Sequence, residues 1–130
     1  MQSAFTIHLP CDEEISSRAR TEVARRLNGG AASFTGDVQL LVSELVTNGF
    51  EHGQPDEHGR IELRVDAASE RIRVEVLDNG DGFTFEPSRP QADAEASFGL
   101  FLVERMSDRW GSDVSEGRTR VWFEVGPAGA

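Results

Sequence analysis

At 130 residues the chain has the size of one ordinary domain and can bury one sizeable core, so residues 1–130 are expected to form a single unit. Its 23 acidic against 13 basic residues give a formal net charge of −10, which argues against binding a nucleic-acid backbone or an anionic membrane. A lone cysteine excludes an intramolecular disulfide framework, and with neither a signal peptide nor a bilayer-length apolar run the expected setting is cytoplasmic.

In chain order, Ala4 to Leu9 alternates Phe5, Ile7 and Leu9 against Thr6 and His8, predicting a half-buried strand with His8 facing away from the core. Cys11 follows at a strand-to-helix junction with no basic neighbour to favour a thiolate, which makes it structural. Ile15, Ala19, Val23 and Leu27 then recur every four residues, predicting a helix that ends at Asn28-Gly29-Gly30. Acids at its start and Arg25 and Arg26 at its end suit the helix dipole.

A second helix is predicted from Thr35 or Asp37, either of which can cap it, to Gly53. Its apolar face holds Val38, Leu41, Val42, Leu45, Val46 and Gly49. Glu44, Asn48 and His52, each four residues apart, form a polar stripe along the edge of that face. A carboxylate and an amide one turn apart suit a hard cation such as Mg²⁺ and the positioning or deprotonation of an attacking group; an ordinary solvated face has the same spacing. Glu51, His52, Asp56, Glu57 and His58 lack a recognised metal-ligand spacing and fit a polar turn.

Arg60 to Asp66 and Arg71 to Asp78 alternate and predict a hairpin connected through residues 67–70. In the second strand Ile72, Val74, Val76 and Asp78 share the buried face, so Asp78 points inward. A partly buried carboxylate needs a donor, and the exocyclic amine of a purine is one. In Asp78-Asn79-Gly80-Asp81-Gly82-Phe83 the glycines permit close backbone approach to a ligand, although Asp-Gly pairs also build plain turns. Residues 84–97 contain Pro87 and Pro90 and little periodicity, predicting a loop long enough to act as a lid. Leu100, Phe101, Val103 and Met106 mark a short helix starting at Gly99, whose amides can hold phosphate. Trp110 and residues 118–125 supply the last strands, with Val121, Phe123 and Val125 on one face, and residues 126–130 are expected to be a loose tail. The fold class expected is α+β, a two-layer sandwich of a mixed sheet with helices on one face.

Taken in order, Glu44…Asn48…His52, then Asp78-Asn79-Gly80-Asp81-Gly82, then Ser97-Phe98-Gly99-Leu100 resemble the N, G1 and G2 boxes of the GHKL (Bergerat-fold) ATPases. Small size, Asp108-Arg109-Trp110-Gly111 and Thr119-Arg120-Val121-Trp122-Phe123-Glu124 look like the branch of anti-sigma factor serine/threonine-protein kinases. The resemblance implies ATP or ADP with Mg²⁺ as cofactors, adenine-amine recognition by Asp78, metal coordination by Asn48, and Glu44 as the catalytic base acting on a partner's serine. It also assigns Gly80, Gly82, Phe83, Ser97, Gly99, Leu100, Thr119 and His52 to nucleotide binding, and residues 84–98 to a lid. The partners it implies are a sigma factor and a STAS-type anti-anti-sigma antagonist, and relatives of this type often pair as homodimers through the sheet side away from ATP. Two positions depart from the pattern: Ser97 replaces the first glycine of the third box, and Glu95-Ala96 stands where sporulation-type kinases place a phosphate-binding arginine. These departures keep open a rival reading, a nucleotide-gated binding module that transfers nothing.

Overall fold

The structure, a computed structural model, describes residues 3–27, 35–68, 71–80 and 101–126. The lid assigned to 84–98, with Glu95, lies outside them. Strand β1 (Ser3–Pro10) is followed by helices α1 (Ile15–Leu27) and α2 (Thr35–His52), the strands β2 (Arg60–Ala68) and β3 (Arg71–Asp78), and the final pair β4 (Arg109–Ser115) and β5 (Arg118–Val125). Residues 101–106, just before β4, are helical.

The five strands form one sheet in the order β1-β2-β3-β5-β4. The α+β architecture is as expected, but the sheet is not mixed, because each neighbouring pair of described strands is antiparallel. The reason lies in the connection from β1 to β2. It contains two helices, and an even number of antiparallel helices brings the chain back reversed, whereas a single helix would have given a parallel pair. Contacts between the helices fix that antiparallel arrangement: Ser16 Oγ meets Thr47 Oγ1, Arg20 donates to Ser43 Oγ, and Gln39 donates to the Arg20 carbonyl.

The helices lie on one face of the sheet. There Leu9, Ile61, Leu63, Val65, Val74, Val76, Val121 and Phe123 meet Ile15, Ala19, Val23, Leu41, Leu45 and Val46 in one buried cluster. Val103 joins it from the 101–106 segment, with Leu102 and Met106 packed at its margin. The acids ahead of α1 do not fall within its first turn. Instead Asp12 accepts the Glu14 N–H and a two-pronged contact from Arg18, so one of them acts as a cap.

The opposite face of the sheet is open and charged. Glu62, Glu75 and Glu124 alternate with Arg64, Arg73 and Arg120 across neighbouring strands, and the pairs link into a network. Trp122 lies within it, with the guanidinium of Arg73 4.1 Å and that of Arg109 5.8 Å from its ring. The other tryptophan, Trp110, packs against the core and donates its indole N–H to Glu104 of the 101–106 segment. Gly126 is buried and donates to Asp108, so the chain is pinned as far as that residue.

Candidate functional site

Strand alternation carries Asp78 to the last inward-facing position of β3, where it is 5% exposed and faces Thr119 of β5 in register. One carboxylate oxygen, Oδ1, accepts the Gly80 N–H at 2.7 Å and the Gln54 N–H at 3.3 Å. Burial pushes the Asp78 carboxyl above the usual carboxylate range, against the opposing effect of those two donors and of the Arg118 charge. Among the described residues no hydrogen bond engages Oδ2, so an acceptor remains available for a ligand donor.

Thr119 is buried beside it and donates to the Gly80 carbonyl at 3.0 Å, which fixes the peptide whose neighbouring N–H holds Asp78. Its hydroxyl oxygen can still accept. Thr119, which the resemblance assigns to nucleotide binding, thus supports the turn that holds Asp78.

Helix α2 supplies the second wall. It packs across β2, β3 and β5, and its last turns run past Asp78, whose Oδ2 lies 3.8 Å from where a Cβ on Gly49 would stand. Asn48 is buried, yet among the described residues none hydrogen-bonds to its amide. A buried and unengaged amide oxygen is a suitable single protein ligand for Mg²⁺, which commonly completes its shell with phosphate and water oxygens. One turn earlier, burial and then the charge of Glu51 push the Glu44 carboxyl upward, which makes it a better proton acceptor than an ordinary glutamate. His52 ends the helix with its side chain about a third exposed (32%) and Nε2 3.8 Å from a Glu51 carboxylate oxygen.

Asp78, Gly80, Thr119 and the end of α2 are thus brought together, with Asn48 and Glu44 further along the same helix. Gly82, Phe83, Ser97, Gly99 and Leu100, the remaining assigned residues, lie outside the described ones. Two contributors escaped the sequence reading. Gly53 and Gln54 cross directly over Asp78, and the Asn79 N–H donates to the Gln54 carbonyl at 2.8 Å. In sequence they read only as a helix terminator and a turn.

Residues 13–125 match the histidine kinase-like ATPase domain, and the chain belongs to that family. Curated relatives include the serine-protein kinase RsbW of Listeria innocua, 28% identical over 83% of this chain and 78% of its own length. The serine-protein kinase RsbW of Staphylococcus epidermidis is 29% identical over 82% and 77%. Among solved structures, the RsbU and RsbW domains of Rv1364c from Mycobacterium tuberculosis superpose with a TM-score of 0.70 at 20% identity. That match covers 95% of this chain but about a third (32%) of the other. The catalytic domain of histidine kinase ThkA gives 0.56 at 13% identity, covering 95% and 97%. These structural likenesses concern the fold.

Proposed function

We propose that the chain binds MgATP and acts as a protein serine/threonine kinase of the anti-sigma factor type, working in the cytoplasm on an antagonist protein and holding a sigma factor. The observation that carries this reading is Asp78, a buried carboxylate with one oxygen held by backbone N–H groups and the other left over, next to a helix whose Asn48 amide is unengaged. The kinship to proteins named serine-protein kinases supports the choice of reaction.

Bound ATP supplies the phosphoryl group and Mg²⁺ offsets charge on its phosphates. Asp78 accepts from the base amine, and Asn48 offers its amide oxygen to the metal. Glu44 takes the proton of the partner's serine hydroxyl as that oxygen bonds to the terminal phosphorus and ADP leaves. The third box, with Ser97, Gly99 and Leu100, and the glycine turn with Gly82 and Phe83 complete the site in this reading.

The test has two stages. Calorimetric titration with ATP in Mg²⁺ is expected to show saturable binding that EDTA weakens and Asp78→Asn removes. Label from γ-labelled ATP is then expected on serine of the antagonist, and Glu44→Gln should lower transfer by ~10²-fold or more while nucleotide binding persists. Binding without transfer to any antagonist would favour the rival reading of a silent nucleotide-gated module, which the Ser97 and Glu95 replacements support. The open sheet face is where a second copy would pair, and sedimentation of the purified chain checks that assembly.

A further inference from the structure

Three glycines converge on one functional group. A Cβ placed on Gly53 would stand 2.5 Å from both Cγ and Oδ2 of Asp78 and 2.7 Å from Oδ1. On Gly80 it would stand 2.8 Å from Oδ1, and on Gly49 at an ordinary 3.8 Å from Oδ2. Real Cβ atoms do not approach to 2.5 Å, so at Gly53 either the side chain or the carboxylate must give way. The carboxylate is not the loose end of a flexible chain here. It is buried, and Oδ1 is bonded to two backbone N–H groups.

Backbone conformation does not account for this glycine. The left-handed positions among the described residues are Gly59, Glu116 and Gly117, so the φ at Gly53 is one that any residue adopts. Its N–H still bonds to the Gly49 carbonyl at 2.9 Å as a continuation of α2, and the next residue is tied to the exit of β3 through the Asn79 N–H. An alanine would keep those bonds. What it would lose is the flat seat of the carboxylate.

We propose that Gly53 is a positioning residue for base selection, because its missing side chain lets the Asp78 carboxylate lie against the end of α2 with Oδ1 spent on Gln54 and Gly80 and Oδ2 presented to the ligand. The inference rests on the reading of Asp78 as the group that recognises the base. A carboxylate accepts and does not donate when ionised, so a seat that fixes its direction favours a purine bearing an exocyclic amine over one bearing a carbonyl at the same place. A tilted carboxylate would lose that preference while the phosphate contacts remained. Gly53 thus ties the helix that carries Asn48 to the strand end that reads the base.

The experiment compares the wild type, Gly53→Ala and Gly36→Ala by calorimetric affinity for MgATP and for MgITP. Gly36 sits in the first turn of α2, where an added Cβ meets nothing within 4 Å, and serves as the control. The wild type is expected to prefer ATP by about tenfold or more, the scale of one hydrogen bond to a charged acceptor. Gly53→Ala should lose at least about tenfold toward ATP and less than about threefold toward ITP, collapsing the ratio, while Gly36→Ala keeps it. A preserved ratio in Gly53→Ala overturns this inference alone. A wild type that binds neither nucleotide overturns the reading of the site and this inference with it. Should Gly53→Ala be too unstable for titration, the thermal midpoints of a cycle with Asp78→Ala decide: the loss caused by Gly53→Ala is expected to vanish once the carboxylate is gone, and an equal loss in both backgrounds overturns the proposal.

Discussion

Asp78 is held at a cost to the unliganded fold. Its carboxyl titrates above the ordinary range because of burial, so the stability it contributes is complete below the unfolded-state pKa of about 4 and is lost as pH rises through the higher folded value. Asp78→Asn keeps an oxygen for the Gly80 and Gln54 N–H groups but removes the buried charge. The variant is therefore expected to melt higher than the wild type near pH 7, with the gain shrinking below about pH 4, while losing ATP affinity. Differential scanning calorimetry across that range checks it, and a lower midpoint at neutral pH would contradict it. The inward placement of Asp78 was legible in sequence because period-2 alternation forces it there. That of Gly53 against the carboxylate was not, because a glycine after a helix has a sufficient local explanation, and only the positions of the Asp78 oxygens reveal the steric one.

Hairpins and helix faces followed the sequence pattern closely, and the sheet direction did not. Alternation places β2, β3 and β5 within a residue or two, whereas strand polarity depends on how many helices intervene and how they pack, which periodicity does not encode. The β4–β5 turn is a two-residue link in which Glu116 (φ 56°) and Gly117 (φ 76°) both adopt left-handed conformations. That is the geometry of a type I′ turn, which asparagine fills more readily than glutamate in the first position. Glu116→Asn should stabilise the chain by about 0.5–1 kcal/mol, measured as a shift in urea midpoint with unchanged slope. On the inner face of the same strand Phe123 is fully buried, and Phe123→Ala should cost about 3–5 kcal/mol by the same measurement.

At the scale of the molecule, the excess negative charge and the balanced charge of the open sheet face are separate facts. Glu62 is largely covered on that face (12% exposed) and meets Arg64 and Arg118; burial raises its carboxyl, but those guanidinium contacts prevail and hold it below the usual range. Its contribution is present above the unfolded-state pKa of about 4.3 and is lost as pH falls through the lower folded value. Glu62→Gln should therefore lower the thermal midpoint at neutral pH, by no more than about 1 kcal/mol in stability, and converge with the wild type in acid. The two tryptophans sit on different sides of this architecture, and the chain contains no tyrosine, so its ultraviolet emission has two sources. Trp122 is fixed between arginines on the charged face, whereas Trp110 is bonded through Glu104 to the helical segment that directly follows the third box. The protein therefore carries a built-in optical gauge: a spectral change on adding nucleotide that Trp110→Phe abolishes and Trp122→Phe retains would report, without any attached dye, that occupancy is felt at the 101–106 segment.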